Sequence, residues 1–290
     1  MIIKYSDYPK FFEIQTTSCC NGGCIICPYR EVSHSIPIGV MDQKLFKKII
    51  GQISKHNCWG VKIIPYLNNE PFLDKLFIDR IKYINQECPM AEIEISTNLS
   101  LLNDKKQKEL SYCNIKELRL SVFGFTSNSY EKVMTGLVWK KNKKNLDHLC
   151  SNKELRANIG QISLVMINYP GISVKDIKLA KEYCRENFIK FELWGYLDRS
   201  GNVSTYSNKV KKSCVHGCEQ NRVSERMHIL FDGRVIICSM DWKQKYIIGN
   251  LAKQTIEEVW NSNRFNDIRR RIYGRKGVAP EICKKCKLSL

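Results

Sequence analysis

The stretch KFFEIQTTSCCNGGCIICPYR, residues 10–30, decides the fold of this chain. It opens with KFFEIQTT, which is rich in aromatic and β-branched side chains and therefore predicts a strand. Directly after that strand, a glycine-containing loop carries Cys20, Cys24 and Cys27. Three closely spaced thiols are typical of iron–sulfur and other metal ligands. The sequence therefore predicts a metal-binding loop at the end of the first strand.

Outward from this stretch, apolar runs alternate with helical patterns through the first two thirds of the chain, which predicts parallel strands joined by crossover helices. Asp42 is placed to cap the first helix, whose apolar residues recur at helical spacing: Leu45, Phe46, Ile49, Ile50 and Ile53. Further helices are predicted near residues 73–87, 103–111, 127–134 and 174–186. They alternate with the strands VKIIPYL, AEIEIST, ELRLSVFG, QISLVMI and IKFELWG, so the sequence predicts an α/β fold of six strand–helix units.

The last third of the chain has a different pattern. Residues 201–213, GNVSTYSNKVKKS, are polar and aperiodic, which predicts a linker between a first domain, residues 1–205, and a second, residues 206–290. In the second domain, MHILF, DGRVIIC and YIIGN predict short antiparallel strands around a turn at Asp232 and Gly233. The segments IEEVWN and RFNDIRRRIY then predict two helices before the closing cysteines.

The composition narrows the class of protein. The chain has 290 residues and 14 cysteines, with neither a secretory signal nor an apolar run of the roughly 20 residues that span a bilayer. We therefore expect a cytoplasmic protein without a membrane segment, in a reducing compartment where clustered cysteines bind metal more often than they form disulfides. The 47 basic and 29 acidic residues give a net charge of +18, which favours acidic or phosphorylated partners. Because the basic stretches lack interleaved aromatic residues, nucleic-acid binding is not predicted.

A second set of cysteines lies in the last third of the chain: Cys218, Cys238, Cys283 and Cys286. Cys214 competes with Cys218 as the first ligand because it lies only four residues earlier. Four thiolates suit either a structural zinc ion or an iron–sulfur cluster, so the residues alone leave both metals open. In the first loop, Cys19 would complete a zinc site in the same way. The other cysteines are interpreted mainly as packing residues: Cys19, Cys58, Cys88, Cys113, Cys150 and Cys184.

The C-x-x-x-C-x-x-C loop after the first strand resembles that of the radical S-adenosylmethionine (radical SAM) superfamily. The resemblance implies a partial (β/α)6 barrel and a 4Fe-4S cluster held by Cys20, Cys24 and Cys27. It also implies that S-adenosylmethionine (SAM) chelates the fourth iron and is cleaved to a 5'-deoxyadenosyl radical, which abstracts a hydrogen atom from the substrate. Many members have an aromatic residue before the third cysteine, whereas this chain has Ile26.

The same resemblance implies cofactor-binding residues at the carboxyl ends of the strands, where barrel-like folds place their sites. Asn68 and Asn69 stand where many members have the two glycines of a Gly-Gly-Glu-Pro motif, and residues 96–98 resemble a Thr-Asn-Gly stretch. The residues implied to contact SAM, or alternatively the substrate for the last two, are Asn68, Asn69, Glu70, Pro71, Ser96, Thr97, Asn98, Ser121 and Arg199.

The second cysteine set resembles the twitch domain, a shortened relative of the SPASM domain. The segments CSMDW, IIGNL, IEEVWNSNRF and the closing CKKC follow the order of that domain. The resemblance implies a small α+β domain with one auxiliary 4Fe-4S cluster on Cys218, Cys238, Cys283 and Cys286. Four thiolates leave no iron open, so the implied role is electron transfer or structural support rather than substrate ligation.

The resemblance implies two enzymatic hypotheses, both with a reductant such as flavodoxin or ferredoxin. In the first, an oxidoreductase dehydrogenates a sugar-like or aminocyclitol-like small molecule, and the auxiliary cluster accepts an electron. In the second, the enzyme modifies a peptide by epimerisation or thioether formation, with Cys214 as a possible hydrogen donor. Cys20 lies close to the start of the chain and leaves no room for an N-terminal peptide-recognition domain, which favours the first hypothesis. The alternative from another functional class is a zinc-stabilised nucleic-acid-binding protein.

Overall fold

The computed structural model describes residues 5–207 and 210–290. Within them, strands and helices alternate as the sequence predicts. The strands are β1 (Phe11–Ile14), β2 (Lys62–Ile64), β3 (Glu92–Thr97), β4 (Ile115–Ser121), β5 (Ile159–Asn168), β6 (Lys190–Gly195), β7 (Arg226–Ile229), β8 (Arg234–Ile236) and β9 (Ile247–Asn250). The helices are α1 (Tyr29–Val32), α2 (Gln43–His56), α3 (Phe77–Glu87), α4 (Asp104–Leu110), α5 (Ser127–Val133), α6 (Trp139–Ser151), α7 (Lys153–Ala157), α8 (Val174–Glu186), α9 (Arg222–Glu225), α10 (Ile256–Trp260), α11 (Asn263–Ile272) and α12 (Glu281–Lys284).

The described strands form one sheet in the order β6-β5-β4-β3-β2-β1-β7-β8-β9. Strands β1 to β6 pair in parallel with their neighbours, and helices cross over between them. This arrangement confirms the predicted α/β architecture, a partial (β/α)6 barrel. Parallel strands bring their carboxyl ends to the same edge of the sheet, so the loops after β1, β2, β3, β4 and β6 lie along one edge.

Two of the predicted helices illustrate how local sequence sets the boundaries. Helix α2 starts as predicted, because the Asp42 carboxylate accepts hydrogen bonds from the N–H groups of Lys44 and Leu45. The helix predicted for residues 73–87 begins later, at Phe77. The chain first forms a 3-10 turn at Pro71–Leu73, and the Asp74 carboxylate accepts the N–H of Leu76 at 2.9 Å before α3 begins.

Each central strand has an apolar side and a polar side. On β4, Leu118 and Leu120 are fully buried in the hydrophobic core, which also contains the buried side chains of α2 and α3. The alternate positions Glu117 and Arg119 point to the other side of the sheet, where polar residues of the neighbouring strands meet them. We call this side the polar face, defined by Glu13, Tyr66, Glu94, Glu117 and Arg119.

No helix within residues 5–207 and 210–290 has the length and apolarity needed to cross a membrane.

The last third of the chain continues the same sheet. Strand β7 pairs in parallel with β1, with Phe11 opposite Arg226 and Ile14 opposite Ile229. Strand β8 pairs antiparallel with both β7 and β9, as predicted, and Gly233 forms the predicted turn with a φ of +85°. In the predicted linker, residues 201–213, positions 208 and 209 lie outside the described residues, and the others form neither helix nor strand.

Candidate active site

The first cysteine loop lies at the carboxyl end of β1 and is tied to the end of α5. The N–H of Gly23 donates to the carbonyl of Thr135 at 2.8 Å, and the N–H of Ile25 donates to the carbonyl of Val133 at 2.9 Å. The Thr135 hydroxyl also donates to the carbonyl of Gly23. Backbone hydrogen bonds therefore fix the loop on both sides of Cys24.

The loop brings the thiols of Cys20, Cys24 and Cys27 together in a desolvated place. Burial raises the pKa of Cys20 to about 12, and it also raises the pKa values of Cys24 and Cys27. The thiols of Cys20 and Cys27 act electrostatically on Cys24. The N–H of Gly22 donates to the Cys20 sulfur at 3.5 Å, an interaction that favours the thiolate form. Converging, desolvated thiols with a backbone donor fit a group that displaces their protons on binding, as iron does.

Glu70 connects the loops after β2 and β3. Its Oε1 accepts the Thr97 hydroxyl at 2.7 Å and the N–H of Phe72 at 3.2 Å, and its Oε2 accepts the N–H of Asn98 at 2.7 Å. The N–H of Glu70 donates to the carbonyl of Cys19 at 3.0 Å. Burial raises the pKa of this carboxyl to about 7 in spite of the three donors. Glu70 thus connects the cysteine loop to the segments after β2 and β3 that are predicted to contact SAM.

Asn98 continues this network into the cysteine loop. Its Nδ2 donates to Asn21 Oδ1 at 2.9 Å, and Asn21 Nδ2 donates to the hydroxyl of Ser100 at 2.8 Å. From the other side, Nδ2 of Asn142 on α6 donates to the carbonyl of Asn98 at 2.7 Å. The predicted SAM residues Glu70, Thr97 and Asn98 are therefore joined to the loop that carries the first cysteine set.

The other residues predicted to contact SAM or substrate lie along the same edge. The hydroxyls of Ser96 and Ser121 are 3.4 Å apart at the ends of β3 and β4. Asn69 turns back into its own loop, where its Oδ1 accepts the N–H of Leu67 at 3.0 Å. Asn68 is partly exposed beside it, and Pro71 is buried at the start of the 3-10 turn.

Arg199 lies between the two cysteine sets. Burial lowers the pKa of its guanidinium, and the thiols of both Cys27 and Cys238 act on it electrostatically. Arg199 therefore lies close to thiols of both candidate cluster sites.

The second cysteine set lines one pocket in the last third of the chain, formed by Cys218, Cys238, Cys283 and Cys286 with apolar neighbours such as Met240 and Leu288. The Cys238 sulfur accepts the N–H of Met240 at 3.5 Å, the same kind of contact as in the first loop. Burial raises the pKa values of the Cys238 and Cys283 thiols. Cys214, the competing ligand, is exposed and does not line the pocket.

The chemistry of both cysteine sites fits iron–sulfur clusters. Cysteine thiolates hold such clusters with one thiolate on each liganded iron, so three thiols leave one iron open and four leave none. Within residues 5–207 and 210–290, no group of three or more histidine, cysteine or acidic side chains converges closely enough to hold a single metal ion. The buried hydroxyl of Ser200 lines the four-cysteine pocket without a hydrogen-bond partner in the described structure, and a cluster sulfur would satisfy it.

The polar face lies beside these sites and carries alternating charges. The Tyr66 hydroxyl donates to Glu94 at 2.9 Å, Arg119 pairs with both Glu94 and Glu117, and Glu13 lies 3.5 Å from His228. Burial alone would raise the pKa of Glu13, but His228 and two nearby arginines lower it to about 2. The polar face therefore offers ionised carboxylates and a guanidinium at the centre of the sheet.

Sequence reasoning missed several residues of the site. Asn142 supports Asn98 from α6, but its segment is lysine-rich and gave no site signal, although Asn142, Asn145, Leu146 and Leu149 recur at helical spacing. Arg222 and Ser200 also line the four-cysteine pocket, although neither belongs to the cysteine motifs that predicted it. The other cysteines interpreted as packing residues lie in the hydrophobic core, apart from Cys19: Cys58, Cys88, Cys113, Cys150 and Cys184.

Comparison with known families agrees with both cysteine sites. The model of the radical SAM superfamily matches residues 14–184, which is more than half of the chain and includes the first cysteine loop. The model of the SPASM iron-sulfur cluster-binding domain matches residues 218–287, which begins and ends around the second cysteine set. These matches favour iron–sulfur clusters over the zinc alternative at both sites.

Individual relatives span nearly the whole chain. The S-adenosyl-L-methionine-dependent 2-deoxy-scyllo-inosamine dehydrogenase of Niallia circulans is 24% identical over 278 residues, which are 96% of this chain and 92% of that protein. The crystal structure of BtrN in complex with AdoMet and 2-DOIA matches with a TM-score of 0.66 and 19% identity, over 96% of this chain and 92% of that one. SuiB of Streptococcus suis, bound to its precursor peptide SuiA, matches with a TM-score of 0.71 and 15% identity, over 98% of this chain and 71% of SuiB.

The two family matches cover the two regions in which the fold gathers cysteine thiols. The solved structures, at their low identity, support the same fold. The chain therefore belongs to the radical SAM superfamily and is an enzyme whose cofactors are SAM, a SAM-binding 4Fe-4S cluster and an auxiliary 4Fe-4S cluster.

Proposed function

We propose that this chain is a SAM-dependent dehydrogenase that oxidises an alcohol carbon of a small sugar-like or aminocyclitol-like molecule. In this proposal the SAM-binding cluster is held by Cys20, Cys24 and Cys27, and the auxiliary cluster by Cys218, Cys238, Cys283 and Cys286. The observation that carries the proposal is the pocket lined by four cysteines. Because every iron of the auxiliary cluster then has a thiolate, that cluster suits electron uptake better than substrate binding.

Dehydrogenation of an alcohol would use both SAM and the auxiliary cluster, and its protons and electrons can be accounted for. Conversion of a secondary alcohol to a ketone removes two protons and two electrons. With the cofactors bound, one electron from the SAM-binding cluster would cleave SAM to methionine and the 5'-deoxyadenosyl radical, which would take the carbinol hydrogen atom. The auxiliary cluster would take the remaining electron as a proton leaves the hydroxyl. A related activity is named for the Niallia circulans protein that is similar over 96% of this chain.

The polar face supports a polyol or amino-polyol substrate. Carboxylates such as Glu13 and Glu94 accept hydrogen bonds from hydroxyl and ammonium groups, whereas Arg119 and Tyr66 donate them. The carboxylates of this face are already paired with basic side chains, Glu94 and Glu117 with Arg119 and Glu13 with Arg226, so these cations are engaged as well. A phosphorylated substrate, which the net positive charge of the chain favours, suits this surface less well than a neutral or amino-bearing one.

Peptide modification is the second candidate function. It is favoured by the match to SuiB, which covers 98% of this chain with a TM-score of 0.71. In this alternative the polar face receives a side chain of a peptide rather than a free small molecule. The exposed Cys214 then remains a candidate hydrogen donor.

The proposal includes the organisation of the chain and its setting. We place the radical SAM domain at residues 1–205 and the twitch domain at residues 206–290. The clusters need a reducing compartment, so we place the enzyme in the cytoplasm with flavodoxin or ferredoxin as the electron donor.

Anaerobic reconstitution with iron and sulfide tests the cofactor assignment. We expect about eight irons per chain from two four-iron clusters, and formation of 5'-deoxyadenosine when SAM and a strong reductant are added. Cys24→Ala should abolish 5'-deoxyadenosine formation, and Cys238→Ala should lose the auxiliary iron. Normal SAM cleavage in the first variant, or full iron in the second, would contradict the ligand set.

Substrates deuterated at a carbinol carbon test the reaction. A dehydrogenase transfers the deuterium into 5'-deoxyadenosine and leaves a carbonyl product, which mass spectrometry detects. The panel should pair amino-polyols with their phosphorylated forms and with short peptides. A peptide product that gains deuterium from D2O, without a new carbonyl, would favour the epimerase alternative and contradict the dehydrogenase proposal.

A further inference from the structure

Two hydrogen-bond donors, Ser200 and Arg222, reach the four-cysteine pocket from separate segments. Both line the pocket together with Cys218 and Cys238. Ser200 lies in the turn after β6, whereas Arg222 begins the short helix α9 before β7. The four thiols already supply one ligand for each iron of a 4Fe-4S cluster, so these two side chains bear on the properties of the bound cluster rather than on its ligation.

Ser200 is held in the pocket by an unusual turn. Arg199, Ser200 and Gly201 have φ values of +53°, +60° and +76°, a left-handed run that costs non-glycine residues about 1 kcal/mol or more each. The side chain of Asn202 donates to the carbonyl of Met240 at 3.3 Å and ties the turn to the Cys238 loop. The Ser200 hydroxyl is buried and has no hydrogen-bond partner in the described structure. Because a strained turn holds this unpaired hydrogen-bond donor in the pocket, we infer that the bound group supplies a hydrogen-bond acceptor there.

Arg222 brings a positive charge to the same pocket. Its Nε and Nη2 donate to Gln220 Oε1 at 2.9 and 2.6 Å, and its Nη1 donates to the hydroxyl of Ser239, next to Cys238. These partners are neutral, and within residues 5–207 and 210–290 no carboxylate forms an ion pair with this guanidinium. The Cys238 thiol interacts with Arg222 both electrostatically and by hydrogen bonding. The guanidinium is therefore fixed beside a ligand sulfur, with the Glu13 carboxylate as a further electrostatic partner.

Charged side chains act on the thiols of both cysteine sites, and Arg199 acts on both Cys27 and Cys238. Glu70, a buried carboxyl, acts electrostatically on Cys20 and Cys24 in the first site. In the second site Arg222 acts on Cys238, and Asp241 acts on Cys283. Reduction adds one negative charge to a cluster, so a nearby cation and donors to the ligand sulfurs favour the reduced form, whereas a carboxylate opposes it.

We propose that Arg222 and Ser200 raise the reduction potential of the auxiliary cluster and so favour its acceptance of the electron left after hydrogen abstraction. This inference rests on the proposed dehydrogenation and its ligand set. Arg222 and Ser200 are positioning residues in it, because they act through the cluster and need not touch the substrate.

The midpoint potential of the auxiliary cluster tests this inference without any substrate. We would titrate the reconstituted full chain anaerobically and follow the reduced clusters by electron paramagnetic resonance, with and without SAM to identify the signal of the SAM-binding cluster. In Arg222→Gln the one-electron equilibrium constant for reduction should fall about tenfold, which is about 59 mV. Ser200→Ala should shift the potential in the same direction by less, and Arg222→Lys should keep most of the parent value.

The matched control is Arg270→Gln, which removes the same charge from a half-exposed position on α11. It should leave the midpoint of the auxiliary cluster unchanged. Parent-like midpoints in both Arg222→Gln and Ser200→Ala, with full iron content, would overturn the inference, as would an equal shift in Arg270→Gln. If Arg222→Gln loses iron, the midpoint potentials of Ser200→Ala and Arg222→Lys test the inference in its place. Iron content reports on cluster ligation, whereas the midpoint potential reports on the effect of Arg222 and Ser200. An unchanged potential with full iron would therefore contradict this inference without contradicting the proposed function.

Discussion

At the scale of single residues, Cys214 and Cys218 are the same residue type in different surroundings. Cys218 lines the four-cysteine pocket, whereas Cys214 is exposed outside it. We expect Cys218→Ser to lose about four of about eight irons after anaerobic reconstitution, because the auxiliary cluster loses a thiolate. Cys214→Ser is the matched control and should keep all of its iron. Iron and sulfide analysis measures both, and the reverse pattern would reassign the ligand.

Glu70 makes the stability of the protein depend on pH in a defined direction. Its pKa rises from 4.5 to about 7 on folding because the carboxyl is buried. The folded chain therefore holds this proton more tightly than the unfolded chain. The free energy of unfolding should fall as pH rises from about 4.5 to about 7, by on the order of 3 kcal/mol at about 1.4 kcal/mol per pH unit, and this contribution should stay constant above pH 7.

Glu70→Gln removes this titration and isolates its contribution. The amide also places a donor where Glu70 accepts the N–H of Phe72 or Asn98, so the variant should be less stable at every pH. Only the pH dependence tests the pKa. Denaturant unfolding of the metal-free, reduced chain at pH 5 to 8 should show a shallower fall in the variant than in the parent. Equal slopes would mean that Glu70 titrates alike in the folded and unfolded chains.

At the scale of elements, a buried ion pair fixes helix α3. Asp74 Oδ2 lies 2.7 Å from Arg80 Nε, and both side chains are almost fully buried. The guanidinium also donates to the carbonyl of Met41 and lies 4.7 Å above the ring of Phe46 on α2. Asp74→Ala leaves the charge of Arg80 buried and unpaired, so we expect a loss of about 3–5 kcal/mol in the free energy of unfolding.

The control for this prediction is an exposed ion pair on α8. Lys178 and Glu182 lie 4.0 Å apart with side chains that are 77% and 41% exposed. Lys178→Ala should change the free energy of unfolding by about 0.5 kcal/mol or less, because solvent screens the pair. Urea unfolding of the metal-free chains compares the two variants. Similar losses in both would show that burial of the Asp74–Arg80 pair does not decide its contribution.

The elements that the sequence predicts best are those with a local signal. Helix α2 has a capping aspartate and an apolar stripe, and the turn at Gly233 has a glycine at a positive φ. Helix α6 went unpredicted because its buried side includes Asn142 and Asn145, whose amides bond to backbone carbonyls of the loop after β3. A buried amide with a distant partner leaves no trace in hydrophobic periodicity.

At the scale of the whole molecule, the cysteine sites follow from spacing, whereas their surroundings do not. The spacing of Cys20, Cys24 and Cys27 indicates the first site on its own. Charged side chains that act on the thiols include Glu70 at the first site, Arg222 at the second and Arg199 at both, and only the packing of distant loops brings them there. The same holds for the parallel pairing of β7 with β1, since strands so far apart in sequence carry no local signal of their contact.

This pairing predicts that the two proposed domains unfold together. Strand β1 bonds to β2 on one side and to β7 on the other, so loss of β7 would leave an unpaired edge at the strand that carries the first cysteine loop. Further contacts join the same regions: Trp260 Nε1 donates to the carbonyl of Ser6, and Lys48 Nζ donates to the carbonyl of Leu251. Hydrogen exchange of the reduced, metal-free chain should give peptides from β1 and β7 the same opening free energy, with a lower value for the edge strand β6. If β7, β8 and β9 open at a much lower free energy than β1, the C-terminal part folds and unfolds by itself, and the continuous sheet adds little to its stability.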